Sequence, residues 1–150
     1  MQTLYDGGGI YTLGDLNGAV ISNNYMTNSP DGRGGVYNDS GSANIDILSN
    51  VIDVYKNGTS YWWFQGVFKT HDLHAEGNFS HSKNDAQQRV DAVNNTYVNN
   101  NNIASSGSWN GAGNAEAQAI IDGAGVSDEY KSLIEAVALP SWRTNPLVTP

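Results

Sequence analysis

An all-β chain wound as a parallel β-solenoid of about four coils, closed by a short C-terminal α-helical cap, is the fold this sequence predicts, on three observations. Segments recur at a nearly constant spacing, an asparagine recurs at one place in each repeat, and the alternation of apolar and polar residues gives way to helix formers after Asn102.

Gly9-Ile10-Tyr11 returns as Gly35-Val36-Tyr37, and Ile21-Ser22-Asn23-Asn24-Tyr25-Met26 returns as Ile47-Leu48-Ser49-Asn50-Val51-Ile52, both displaced by 26 residues. Counterparts of the asparagine in Leu73-His74-Ala75-Glu76-Gly77-Asn78 and Thr96-Tyr97-Val98-Asn99-Asn100-Asn101 extend the series, so Asn24, Asn50, Asn78 and Asn101 are expected in one column. Parallel strands need a crossover of a dozen or more residues, and a repeat of this length supplies it by winding the chain about a common core. Ile10, Val36 and Phe64 then stack as one apolar column, and Ala19, Ile45 and Leu73 as another, about 4.8 Å apart from coil to coil. An amide both donates and accepts, so an asparagine at the bend between strands satisfies turn groups along the stack.

The coils are assigned to residues 1–110 and the cap to 111–150 of the same domain. Asn114 precedes Ala115-Glu116-Ala117-Gln118-Ala119-Ile120-Ile121-Asp122 and Gly123 ends the run, which predicts a capped helix. Ser127 starts a second, with Asp128 and Glu129 at the favourable end of its dipole and Leu133, Ile134 and Val137 as its apolar stripe. These helices are expected to cover the last open coil. The tail from Pro140 is expected to run irregularly.

Composition narrows the partners. Seven Lys plus Arg against 15 Asp plus Glu leave a net charge of -8 with no basic run, which argues against nucleic acid. No stretch approaches the length of a membrane span, so no membrane partner is expected. Charged residues make up only 15% of the chain, so its polar surface is mostly amide and hydroxyl, and with 10% aromatics that suits a polysaccharide or oligosaccharide. The absence of cysteine excludes disulfides and thiol chemistry and leaves the compartment open. Met1-Gln2-Thr3-Leu4-Tyr5-Asp6 carries no signal peptide and leads directly into the repeat, which reads as the C-terminal part of a longer chain. Upstream coils, or self-association of the N-terminal edge at Leu4-Tyr5, are the expected cover for that edge.

Asp6-Gly7-Gly8-Gly9-Ile10-Tyr11-Thr12-Leu13-Gly14 and Gly35-Val36-Tyr37-Asn38-Asp39-Ser40-Gly41-Ser42-Ala43-Asn44-Ile45 resemble the right-handed parallel β-helix proteins of the pectate-lyase-like group. Ala117-Gln118-Ala119-Ile120-Ile121-Asp122-Gly123-Ala124-Gly125 resembles the tail of a bacterial branch that contains glycoside hydrolases. The resemblance implies a secreted or periplasmic polysaccharide-active protein that hydrolyses through paired carboxylates on neighbouring coils and needs no cofactor. The same architecture serves lyases, epimerases, tailspikes and adhesins, so a non-catalytic carbohydrate-binding or adhesive solenoid is the alternative. A lyase needs a cationic base near calcium, for which only Arg33 and Lys69 are at hand.

The candidate acids are Asp6, Asp31 and Asp39. Asp6 and Asp31 precede corresponding glycine runs and stack if one inserted residue is allowed, although Asp-Gly is also a turn signal that needs no catalysis. Asp39 shares the outward face with Tyr37 if Val36 points inward, with Tyr11 below it. Where the resemblance leads one to expect Asp-Glu, this chain has Asp39-Ser40. Asp6 and Asp39 are seven residues out of register, about 20 Å along a straight strand, so their pairing requires a corner.

Tyr11, Tyr37 and Trp63 offer faces for sugar rings, with Trp62 and Phe64 turned inward by alternation, and Arg33 and His71 are candidates for binding hydroxyls. His71, Asp72, His74 and Glu76 superficially suggest a metal site, but alternation puts His74 and Glu76 on one face and His71 on the other, and no metal is assigned. Sequons at Asn38, Asn57, Asn78 and Asn94 arise readily in so asparagine-rich a chain, and no glycan is assigned.

Overall fold

Runs of two to eight residues, too short and too strongly alternating for helices, form parallel strands in a computed structural model of the protein. The structure describes residues 8–27, 34–53, 55–56, 59–60, 64–66, 68–80, 86–88, 91–102 and 114–131. The chain makes four similar rounds. The first is β1 (Gly8–Thr12), β2 (Asp15–Ser22) and β3 (Tyr25–Thr27), and the second is β4 (Gly34–Asn38), β5 (Ala43–Leu48) and β6 (Val51–Asp53). A small antiparallel hairpin, β7 (Tyr55–Lys56) and β8 (Thr59–Ser60), follows. The third round is β9 (Phe64–Gly66), β10 (His71–Glu76) and β11 (Phe79–Ser80), and the fourth is β12 (Ala86–Gln88), β13 (Thr96–Val98) and β14 (Asn101–Asn102). Helix α1 spans Ala115–Gly123.

Equivalent strands of successive rounds pair in parallel, giving three four-stranded sheets in the orders β1-β4-β9-β12, β2-β5-β10-β13 and β3-β6-β11-β14. Both predicted strand registers form. Ile10 pairs with Val36 and Val36 with Phe64, while Ala19 pairs with Ile45 and Ile45 with Leu73. Ile21, Met26, Val36, Ile45, Ile47, Ile52, Leu73 and Ala75 come from all three sheets and meet in one buried core. Their burial, at roughly 25 cal/mol per Å² of apolar surface, is the main force holding the layers together.

The asparagine column forms at the bend between the second and third sheets, with one correction: its fourth member is Asn100, not Asn101. Asn24, Asn50 and Asn78 each donate backbone N–H and Nδ2 to the Oδ1 of the next amide, at 2.8–3.0 Å, ending on Asn100. Asn50, Asn78 and Asn100 also donate Nδ2 to the carbonyls of Ile21, Ile47 and Ala75 in the preceding round. Asn101 instead pairs with Phe79 in the third sheet. Four consecutive asparagines, 99–102, leave the register open at the level of sequence; the neighbouring strand decides it. His74 pairs with Thr96, so Tyr97 turns inward against the core and Val98 outward, the inversion that a one-residue slip imposes. Burial pushes the Tyr97 phenol well above its ordinary range.

The residue before each ladder asparagine is left-handed: Asn23, Ser49, Gly77 and Asn99 have φ between +52° and +65°. Asn and Gly enter that region at least cost, which explains why both recur here.

Asn114 caps α1, its Oδ1 accepting from the Ala117 amide at 3.0 Å, as its sequence predicts. The helix stops at Ala124, whose amide donates to the Ile121 carbonyl. A second helical turn begins at Ser127, whose carbonyl accepts from Tyr130 and Lys131; Leu133, Ile134, Val137 and the tail from Pro140 lie outside the described residues. Contrary to the expected position over the last coil, α1 lies against the flank of the stack. Ala117 is buried on Val51 and Phe79, with Tyr25, Ile120 and Ile121 packed around them. Ile52, the neighbour of Val51, faces the main core, so α1 covers the outward face of the third sheet. The reason is local: that face carries Tyr25, Val51 and Phe79 and needs apolar cover, whereas the outward face of the second sheet is mostly polar. Among the described residues no helix is long and apolar enough to cross a membrane.

Two stability outcomes follow. Asn50→Ala strands the Ile21 carbonyl and the Asn24 amide and is expected to cost about 2–4 kcal/mol, at about 1–3 kcal/mol per unsatisfied buried group. Asn24→Ala, at the end of the ladder, is expected to cost less; urea denaturation of both variants measures the difference. Gly77→Asn is expected to be nearly neutral, since a Cβ there meets only Ser49 Oγ at 3.6 Å, while Gly77→Val should lose about 1–2 kcal/mol to left-handed strain, measured in the same way.

Candidate functional site

The first sheet ends at Thr12 and Asn38, and the chain turns there toward the second. Thr12 Oγ1 donates to Asn38 Oδ1 at 2.9 Å and lies 2.9 Å from Ser42 Oγ, a buried polar knot under the corner. Above it the Asp39 amide donates to the Thr12 carbonyl and the Ser42 amide to the Asp39 carbonyl, which fixes the turn. With Val36 inward, Tyr37 and its partner Tyr11 project from the opposite face of the sheet.

Three sequence-predicted residues meet at this corner. The Tyr11 hydroxyl donates to Asp39 Oδ2 at 2.5 Å, and the Tyr11 and Tyr37 rings stand edge-to-face with centroids 5.3 Å apart. Asp39 Oδ1 accepts from the Ser40 amide at 2.6 Å and from Ser40 Oγ at 3.2 Å. Tyr37 is only 5% exposed, whereas Tyr11 is 46% exposed. Ser40, which stands where the resemblance leads one to expect an acid, helps hold Asp39. Asp6, Asp31, Arg33, Trp62 and Trp63 lie outside the described residues. Asp39 is thus the one described member of the proposed acid set, and its separation from the other two is undefined.

His71 lies elsewhere, on the second sheet. Its Nδ1 is 2.7 Å from Asp72 Oδ2. His74 and Glu76 share a face as alternation requires: Nε2 lies 3.1 Å from Glu76 Oε2, while Nδ1 lies 2.7 Å from Thr96 Oγ1. The carboxylate accepts, which assigns the proton of neutral His74 to Nε2 and leaves Nδ1 to accept from the threonine hydroxyl. Among the described residues no three His, Asp or Glu side chains converge as a metal site requires.

The motif reading missed the polar outward face of the second sheet as a unit. It runs from Asp15, Asn44, Asp72 and Asn94 at one side through Asp46, His74 and Thr96 to Glu76 and Asn99 at the other. Asn44, Asp72 and Asn94 all have left-handed φ and repeat at the steps of the ladder, the signal by which they could have been found. Asn44 Nδ2 donates to Asp15 Oδ1 at 2.9 Å and Asn94 Nδ2 to Asp72 Oδ1 at 3.3 Å. The hydrogen bond from Asn44, followed by that from the Asn17 amide, holds the Asp15 carboxyl below the usual range. The bond to His71, followed by that from Asn94, does the same for Asp72. Two of the sequons are closed to modification by burial, Asn38 in the corner knot and Asn78 in the ladder. A separate groove of about 550 Å³ runs between α1 and the left-handed column, lined by Asn23, Ser49, Gly77, Asn99, Glu116 and Ile120 among others.

No protein-family profile, curated protein or solved structure matches this chain. The likeness to the pectate-lyase-like group therefore rests on the sequence motifs.

Because Asp15 and Asp72 are depressed in the folded chain, any stabilisation they give is present above the ordinary Asp value of about 3.9 and fades as pH falls through their lowered values. A carboxyl-carbon NMR titration is expected to place the Asp72 midpoint below that value. Replacing His71 with Ala should raise it toward the ordinary range and leave Asp15 much nearer its starting value.

Proposed function

We propose that the chain is a section of a right-handed parallel β-helix that binds neutral carbohydrate through the corner at Tyr11, Tyr37 and Asp39. Support for the winding is the passage through the same three sheets in the same order on each round; the right hand is taken from the general rule for parallel crossovers. Support for the ligand is one observation: the exposed Tyr11 ring is held at its edge by Tyr37 and at its hydroxyl by Asp39. A ring fixed at two points loses little freedom when a sugar stacks its C–H face upon it, and the adjoining carboxylate and Ser40 hydroxyl offer partners for sugar hydroxyls. The net charge of -8 and the carboxylates of the second sheet favour a neutral glycan over a polyuronate.

Hydrolysis is the second reading, favoured by the carboxylate of Asp39 on this outer corner and requiring Asp6 or Asp31 as its partner. In the described structure Asp39 accepts from Tyr11, from the Ser40 amide and from Ser40 Oγ, contacts that suit a positioned turn residue as well as an acid.

Affinity electrophoresis against neutral and acidic polysaccharides tests the binding reading. Retardation by a neutral polymer, weakened about tenfold in Tyr11→Ala and not reproduced by polygalacturonate, is the expected result, a factor worth about 1.4 kcal/mol. Equal retardation of the Tyr11→Ala variant sinks the assignment of the corner. Reducing ends released from the bound polymer and lost in Asp39→Asn would replace binding by hydrolysis.

A further inference from the structure

Away from the corner at Tyr11, the second sheet joins a hydroxyl, an imidazole and a carboxylate in one chain of hydrogen bonds. Thr96 Oγ1 lies 2.7 Å from His74 Nδ1, and His74 Nε2 lies 3.1 Å from Glu76 Oε2. The register brings the three together. His74 pairs with Thr96 across β10 and β13, and Glu76 follows His74 by two residues, so all three side chains share the outward face. Asn99 Nδ2 donates to Glu76 Oε1 at 3.3 Å, which holds the carboxylate by both oxygens. With the proton of neutral His74 on Nε2, the threonine hydroxyl is the donor to Nδ1.

Hydroxyl to imidazole to carboxylate is the order in which a weak oxygen nucleophile is activated: a base within about 2.6–3.2 Å of the hydroxyl, itself oriented by a third group. The chain of contacts is also open to a reactant. Thr96 is exposed, and the His74 and Glu76 side chains are 37% and 46% exposed. Asp46, the partner of His74 on β5, and Asp72 add carboxylates to the same face, which repels an anionic substrate and leaves an uncharged one unaffected. Asn99 also lines the groove beside α1, so the carboxylate end of the chain stands at the margin of a concave surface.

We propose that Thr96, His74 and Glu76 form a nucleophilic relay that hydrolyses small uncharged carboxylic esters. Thr96 Oγ1 attacks the ester carbonyl carbon while His74 Nδ1 takes the hydroxyl proton, and the new bond from Oγ1 to carbon gives a tetrahedral adduct. Its collapse breaks the bond from that carbon to the alcohol oxygen, which leaves with the proton from His74 Nδ1. Water then attacks the acyl-threonine, and its proton passes through His74 Nδ1 to the released Thr96 oxygen. Ester and water thus become acid and alcohol with no further reactant. Glu76 touches neither substrate nor nucleophile and is a positioning residue, holding the Nε2 proton and offsetting the charge that develops on the ring. The inference rests on this relay and not on the carbohydrate reading at Tyr11.

Hydrolysis of p-nitrophenyl acetate by the 150-residue chain tests it. Release of p-nitrophenol above the buffer rate is expected, with one acetyl group on the peptide containing Thr96 when turnover is quenched in acid. Thr96→Val and His74→Gln should each lose about a hundredfold in kcat/KM, the lower end of what positioned proton transfer contributes, while Thr96→Ser keeps the activity. Glu76→Gln is expected to lower kcat at unchanged KM, a split that loss of a merely structural contact would not give. Unchanged far-UV circular dichroism shows that each variant is folded. A folded chain no faster than buffer overturns the inference. So does full activity in Thr96→Val, which leaves the imidazole acting alone, or an acetyl group carried by another residue in place of Thr96.

Discussion

Everything in this structure depends on each round lying in register over the last, and the corner amides enforce that register. Apolar columns alone favour stacking but tolerate a slip, because one aliphatic side chain packs on its neighbours in several offsets. The asparagine does not. Its Oδ1 must collect two N–H groups from one round while its Nδ2 finds a carbonyl of that same round, and both conditions hold at a single offset. Each such bond adds only about 0.5–1.5 kcal/mol net, yet a slip strands buried groups at about 1–3 kcal/mol each. The ladder therefore acts more through what it forbids than through what it adds.

The same corners explain the composition. Columns of left-handed residues at Asn23, Ser49, Gly77 and Asn99, and at Asn44, Asp72 and Asn94, demand residue types that accept positive φ, chiefly Asn, Asp and Gly. A surface rich in amide and poor in charge is thus a consequence of many turns stacked in register. It follows that amide content is weak support for a sugar ligand. The carbohydrate reading rests on Tyr11, whose exposure and double fixation no turn requires.

Much of the fold was legible because the repeat places identical physical demands on distant segments. The 26-residue step set Ile10 on Val36 and Ala19 on Ile45 without any structural information. Legibility failed where several residues met the same demand: within the asparagine run 99–102 the sequence offers no contrast, and Tyr97 packing inward decides among them. It failed for α1 because amphipathicity shows that a face must be buried but not on what. Three apolar residues on the outside of the third sheet, Tyr25, Val51 and Phe79, were the missing half of that statement. At the candidate site, alternation puts Tyr37 on the face away from Val36, but it cannot weigh crowding. Tyr11 and the packing beside it leave Tyr37 buried, so of two matching tyrosines one supports and the other is exposed.

Fold and proposed function meet in the position of Tyr11 within the first round. A platform that presents one ring grips a polymer weakly, since an aromatic contact of this kind contributes about 0.5–1.5 kcal/mol beyond the area it buries. On that reading the affinity of the corner depends on how little freedom Tyr11 has left to lose when a sugar stacks on it, and the contacts with Tyr37 at its edge and Asp39 at its hydroxyl have already removed most of that freedom. The register that the amide ladder imposes serves the site by the same route, since it holds the Tyr11 strand over the Tyr37 strand and so fixes the two rings against each other.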